Sequence, residues 1–505
     1  MLEQICCVVS VSDTSCTQKQ RNPLSCSGVF LNHRSGFVLC SGALFFNFLI
    51  DKDCINTNSK ILSVNNFHNK MQVFIHHMDM TMNQGKTKAD LFMMINCAEF
   101  QVAFQKLFTE ADKWNFYNGD EEAETLFDPS FLSWFAVLKL STGSHGQIVP
   151  WVKSTTLEKG HSVLVCGSPF GSFCPDLFMN TLSKGIVSNT AGQENALILT
   201  DARCLPGTEG GGVFVNNGDM LYLVGLIVSP LCWKSNEWIG LTLVCSFHLI
   251  LKNVLQAVTS HQSPREILPD SVKNNPQADA QQRTENGLYP TVVLIESGQQ
   301  WGSGIMLSPR LVLTCRHVVD GKTFLKVTFN SGQRFRTVNG DVLYSSNASS
   351  PYDIAVVQLQ KSLDVVVPQL TKSLYPGEDV FVLGYGALGK TCGPSLTSGI
   401  LSRVISLKNK PVMLQTTCAV QCGASGGAVI RAKTGELLGI VSSNTRDFTA
   451  KVTYPHLNFS IPVSVLEPLL CSFAQTGDSA VFLSLDCAEE EVSRVWRLQV
   501  SQSKL

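Results

Sequence analysis

Short apolar runs, broken by glycine, proline, asparagine and serine, recur along almost the whole chain. Val163–Cys166, Val224–Val228, Val380–Leu383 and Leu438–Val441 are typical. Runs of this length, rich in Val, Ile, Leu and Phe and bounded by turn formers, predict many short strands packed as sandwiches or barrels. Two stretches break the rhythm. Residues 259–287 are polar, contain three prolines and have no sustained apolar period, which predicts a linker. Residues 488–500, AEEEVSRVWRLQV, carry apolar positions at helical spacing and predict one amphipathic helix.

The pattern on either side of the linker repeats. Val163–Gly171 is answered by Val380–Gly386, Leu182–Ser188 by Leu396–Ser402, Val224–Ser229 by Leu438–Ser442, and Cys26–Leu31 by Gly302–Leu307. The turn Gly207-Thr-Glu-Gly-Gly-Gly212 is answered by Gly423-Ala-Ser-Gly-Gly427. Five matches in one order indicate a duplicated unit. The reading is a first copy over 1–258, the linker, a second copy over 288–470 and a tail over 471–505. About 51–127 of the first copy, of mixed helical and polar sequence, has no evident counterpart in the second and reads as an insertion that includes loops.

Composition narrows the partners. With 505 residues the chain exceeds one ordinary core. A net charge of −1 offers no broad basic face to nucleic acid. The N-terminus MLEQICCVVSVSDTSC lacks a basic leader, and the longest apolar stretch, Phe37–Ile50, is too short and interrupted for a membrane span. The 18 cysteines show no zinc-ligand spacing, so most read as buried, reduced, small hydrophobes. Adjacent His76 and His77 point to opposite faces of a strand, which disfavours a shared metal. No metal or cofactor is expected. The terminal Ser503-Lys504-Leu505 matches the peroxisomal import address, a receptor-read signal, and places the chain in the peroxisome matrix with that receptor as a partner.

Chemistry concentrates in the second copy. His317 ends the apolar run Leu311-Val-Leu-Thr-Cys-Arg-His, Asp353 opens Asp-Ile-Ala-Val-Val, and Ser425 sits in the glycine turn. A serine hydroxyl needs an adjacent base, and an imidazole needs an orienting carboxylate. The glycines free backbone N–H groups, those of Gly423 and Ser425, to face a developing oxyanion. Cys315 and Cys422 flank the histidine and serine and are assigned to packing.

With their flanks, His317, Asp353 and Ser425 resemble the chymotrypsin-fold serine proteases of the HtrA/Deg type. Gly167–Gly171 and Leu457–Val463 are also similar to stretches of that family. The terminal tripeptide and the doubled unit narrow the resemblance to the peroxisomal and glyoxysomal processing proteases. The fold this implies is all-β dominated: tandem chymotrypsin-like double β-barrel units, the first degenerate, with a short C-terminal helical tail. The implied activity is serine endopeptidase cleavage next to cysteine in targeting leader peptides of peroxisomal enzyme precursors. A catalytically weak, chaperone-like binding protein of the matrix is the alternative. A homo-oligomer stays open, and there is no room after Leu470 for the PDZ domain many HtrA proteins carry.

Alignment places Ala43, Trp134 and Glu209 of the first copy where His317, Asp353 and Ser425 stand, so the first copy reads as a pseudo-protease. Ala419, six residues before the serine, is expected at the base of the specificity pocket, with Ser442, Ser443 and Asn444 as the strand that pairs with substrate. If the enzyme cuts next to cysteine, its own exposed cysteines become substrates, and the bond Cys97–Ala98 within the insertion is the expected self-cleavage site.

Overall fold

The computed structural model describes residues 2–14, 23–55, 60–78, 84–109, 113–116, 129–141, 149–171, 174–217, 220–234, 237–258, 289–298, 300–331, 334–447, 452–487 and 489–501. The chain divides into two compact units: Met1–Ser235 with Leu241–Arg283, and Asn236–Gly240 with Thr284–Leu505. Among the described residues no helix is long and apolar enough to cross a membrane.

Each unit holds two six-strand rings. In the first unit, β1 (Cys6–Asp13), β2 (Leu24–Asn32), β3 (Phe37–Ser41), β4 (Met71–Met78), β5 (Gln84–Asn96) and β6 (Trp134–Leu140) pair in the order β1-β2-β3-β6-β5-β4, closed by β4 on β1. Its second ring contains β7 (Ser162–Gly167), β8 (Thr181–Ala191), β9 (Leu197–Thr200), β10 (Gly212–Asn217), β11 (Met220–Ser229) and β12 (Thr242–Ser246).

The second unit has β13 (Val292–Ser297), β14 (Gln300–Ser308), β15 (Leu311–Thr314), β16 (Phe324–Ser331), β17 (Arg334–Ser345) and β18 (Ala355–Leu359) in one closed barrel. The other barrel holds β19 (Asp379–Gly384), β20 (Ser395–Leu407), β21 (Lys410–Thr416), β22 (Ala428–Arg431), β23 (Leu437–Asp447) and β24 (Val452–Pro462). In all four rings the strand order is first, second, third, sixth, fifth, fourth.

The alternation that builds these strands is plain in β4, where Val73, Ile75 and His77 face inward between half-buried neighbours. Strand side chains alternate faces, so a closed ring fills with every second residue. Val9, Phe30, Val38, Ile75, Met94, Trp134 and Ala136 fill the first ring; Val163, Ile198, Val213 and Val244 fill the second. Val382, Leu401, Leu414 and Val429 pack in the β19–β24 barrel.

Two expectations change here. The stretch 51–127 is not an unmatched insertion throughout, because β4 and β5 occupy the ring positions that β16 and β17 hold in the second unit. Strand pairing requires only alternation and backbone hydrogen bonds, so those positions survive without recognisable sequence. Nor does Cys97 lie in a loop. It is fully buried between β5 and helix α1 (Ala98–Leu107), and its N–H donates to the Ser133 carbonyl at 2.9 Å.

After the last barrel come α2 (Val463–Thr476), a 3-10 stretch Ser479–Cys487 and α3 (Glu490–Ser501), the helix expected from the sequence. The described cysteines form no disulfide, and most are buried. Cys422 is a correction: it is exposed and lines the cleft described below rather than packing in a core. His76 and His77 point to opposite sides, toward Ser10 Oγ and Thr87 Oγ1, each at 3.1 Å.

Candidate active site

The glycine turn before β22 is fixed by a set of buried hydrogen bonds. The Ser303 hydroxyl donates to the Gly423 carbonyl at 2.7 Å and accepts the Tyr385 N–H at 2.8 Å. The Ser303 N–H donates to the Ser425 carbonyl, and the Gly426 N–H to the Val441 carbonyl, both at 2.8 Å. Gly423 (φ 91°) and Gly426 (φ 83°) adopt the left-handed conformation that glycine tolerates. A Cβ on Gly426 would lie 2.1 Å from the Ser303 carbonyl oxygen. Among the described residues the N–H groups of Gly423 and Ser425 have no partner within the fold.

Strand β15 ends at Thr314, and a single helical turn, Arg316–Val319, carries His317 out of the barrel. Asp353 precedes β18. One of its oxygens accepts the His317 N–H at 3.0 Å, and the other makes a short hydrogen bond to His317 Nδ1. Burial pushes the Asp353 carboxyl up, but the imidazole, the His317 N–H and the Arg316 guanidinium outweigh it and hold the carboxyl below its ordinary range. A carboxylate on Nδ1 leaves Nε2 as the imidazole nitrogen able to accept a proton.

His317, Asp353, Gly423, Ser425, Ser442 and Ser443 line one cleft of about 1060 Å³. The Ser425 hydroxyl donates to the Ser442 carbonyl at 3.3 Å, and among the described residues no hydrogen bond joins it to His317. Ala419 does not line the cleft. It is 3% exposed, and Val420 and Gln421 take the lining position instead. The backbone of Asn444 continues β23 opposite Asn458. Cys315 is buried, its thiol pushed well up by that burial and donating to the Val441 carbonyl at 3.3 Å.

The first unit contains the same turn with a different content. The Ser27 hydroxyl donates to the Gly207 carbonyl and accepts the Ser168 N–H, both at 2.8 Å. The Ser27 N–H donates to the Glu209 carbonyl, and the Gly210 N–H to the Ile227 carbonyl, again at 2.8 Å. Gly207 (φ 94°) and Gly210 (φ 79°) match their counterparts. Glu209 therefore stands in the setting of Ser425. Its carboxylate accepts the Gly207 N–H at 2.8 Å, so one N–H that would face an oxyanion is already taken. Burial raises the Glu209 carboxyl to about 7.

Strand register gives the other two positions. Gly28 pairs with Cys40, which pairs with Ala136, whereas Ile305 pairs with Leu313 and Thr314 pairs with Ala355. Counted from those pairs, Ala43 falls where His317 does and Trp134 where Asp353 does.

The trypsin-like peptidase domain model matches twice, over residues 94–226 and 302–440. The peroxisomal leader peptide-processing protease of Mus musculus is 38% identical over 565 residues, covering 100% of this chain and 98% of the relative. That of Homo sapiens is 38% identical over 554 residues, covering 98% and 96%. The chain belongs to this family of trypsin-like processing proteases. It is a serine endopeptidase, and a peroxisomal one. The periplasmic serine endoprotease DegP of Escherichia coli is 30% identical over 186 residues, 35% of this chain and 36% of that protein.

Sequence reasoning missed part of the cleft wall. Trp301, Glu237, Ser493, Trp496 and Arg497 also line it. The last three lie on α3, whose amphipathic spacing announced a helix but not what its apolar side would cover.

Proposed function

We propose that this peroxisomal endopeptidase removes targeting leader peptides from imported enzyme precursors, cutting next to cysteine, with His317, Asp353 and Ser425 as its triad. The observation that carries the reading is the double grip of Asp353 on His317 in the cleft that also holds the Ser425 turn. Ser425 Oγ attacks the scissile carbonyl while His317 Nε2 takes its proton, then returns it to the leaving amine. The Gly423 and Ser425 N–H groups receive the oxyanion. The hydroxyl must first turn from the Ser442 carbonyl toward His317, as catalytic hydrogen bonds often tighten only with substrate bound. Ser442, Ser443 and Asn444 form the edge that pairs with substrate, and the uncharged Val420, Ser442 and Ser443 of the cleft wall leave a cysteine side chain no charge to oppose.

The first unit then acts as a pseudo-protease, lacking base and nucleophile and holding Glu209 against its own oxyanion turn. Self-processing after Cys97 requires the junction of β5 and α1 to open, because strands in a packed sheet cannot enter a cleft. Ser503–Leu505 lie outside the described residues; their proposed role is to bring the chain into the matrix through the import receptor, and their deletion should leave it in the cytosol.

A serine-directed fluorophosphonate should label the native enzyme and not Ser425→Ala. New N-termini next to cysteine should appear in peroxisomes carrying the native enzyme and be missing with Ser425→Ala. Absence of labelling would overturn Ser425 as the nucleophile.

A further inference from the structure

The C-terminal segment is seated against the loop that carries Asp353. Phe482, fully buried in the 3-10 stretch, stacks on Tyr344 at 5.6 Å. The Asn347 N–H donates to Asp486 Oδ1 at 2.7 Å, and the Ser350 hydroxyl to the Leu485 carbonyl at 2.8 Å. On α3, Trp496 is 7% exposed, donates its Nε1–H to the Val412 carbonyl at 3.2 Å and meets Tyr352 edge-on at 6.2 Å. Lys408 pairs with Glu489 at 2.6 Å near the start of this helix.

One side of this seated helix faces the catalytic cleft. Ser493, Trp496 and Arg497 line it together with His317, Ser425 and the loop Ala348–Pro351. The Arg497 guanidinium keeps 67% of its side chain exposed and is held by Glu490 through two bonds of 3.0 Å, in the forked geometry that suits a carboxylate. Arg316, the other guanidinium of the cleft, is engaged by Asp353 and the Asn347 carbonyl.

We propose that α3 forms a substrate subsite of this endopeptidase, in which an acidic side chain of the bound peptide lays its stem against Trp496 and its carboxylate on Arg497. The inference rests on the endopeptidase reading above. Substrate exchanges with Glu490 for the guanidinium fork, which an exposed ion pair permits because it contributes little by itself. A segment after the barrels thereby selects substrate, while the triad remains with the barrels.

The test uses the full chain, a fluorophosphonate probe and a peptide library varied at each position within four residues of the cut. The native enzyme should prefer Glu over Lys about 10-fold at one position. Arg497→Glu should reverse that preference, and Arg497→Ala should abolish it through KM. In both variants the fluorophosphonate should label Ser425 within about twofold of the native rate. Trp496→Phe, which keeps an aromatic ring but loses the bond to the Val412 carbonyl, should lower kcat/KM several-fold more for Glu-bearing than for Lys-bearing peptides. An unchanged preference in Arg497→Glu overturns the subsite, as does a fall in labelling parallel to the fall in cleavage. Failure of the native enzyme to label is a different result, which removes the endopeptidase reading itself.

Discussion

Ser303 and Ser27 offer a matched experiment within one chain. Each hydroxyl is fully buried, donates to the carbonyl of the first glycine of a turn, and accepts a backbone N–H from a neighbouring strand end. Substitution by alanine leaves one buried N–H and one buried C=O without a partner at either site. At about 1–3 kcal/mol per orphaned group, less the desolvation of the hydroxyl removed, each variant should lose about 2–4 kcal/mol from its own unit. The consequences for turnover differ. Beside Gly423 the loosened turn carries a proposed oxyanion donor, and losing one such donor altogether costs about 10²–10³ in kcat. Partial misalignment in Ser303→Ala should therefore lower kcat about 10- to 100-fold with KM little changed. Ser27→Ala should be as destabilised and keep its kcat, because Glu209 occupies the equivalent turn. Denaturant unfolding read by a probe in each unit gives the stabilities, and hydrolysis of a fluorogenic peptide by the remaining folded enzyme gives kcat. The reasoning fails if Ser303→Ala is destabilised but turns over normally, or if both variants lose kcat to the same degree.

Asp353→Asn should lower kcat about 10⁴-fold, since an amide supports the wrong imidazole tautomer; a loss under tenfold in peptide hydrolysis would contradict the triad. The Asp353 carboxyl is held below its ordinary range in the fold, so its stabilising contribution is present above the usual carboxylate range and lost as pH falls through the lowered value. Urea titrations from pH 6 to 3 should show that loss in the native enzyme and a smaller one in Asp353→Asn. Glu209 has the opposite sign: with its carboxyl raised to about 7, its contribution is full below its unfolded value and falls as pH rises to about 7. Glu209→Gln should therefore stabilise the first unit at pH 8 by up to about 3 kcal/mol, and do little at pH 4. Purified native enzyme incubated with itself should keep the Cys97–Ala98 bond intact under folding conditions and lose it only when the junction of β5 and α1 is opened by denaturant; an N-terminus at Ala98 from fully folded chain would refute the burial argument.

Local sequence was enough for what local physics controls. Short β-rich runs between turn formers specified strands, because alternation and turn chemistry act over a few residues. His317, Asp353 and Ser425 were legible because each sits where a strand meets a turn, and the doubled glycine turn identified Glu209 because positive-φ positions demand glycine around it. Tertiary structure alone decided what long-range closure controls. It made Met71–Met78 and Gln84–Asn96 ring strands, since pairing reads backbone alternation and not residue identity. It buried Cys97 and exposed Cys422, because exposure depends on which distant elements cover a position. It withdrew Ala419 from the cleft and brought Trp496 and Arg497 into it. Those two lie more than seventy residues beyond Ser425, and an amphipathic period states only that one face of a helix will be covered, never by what.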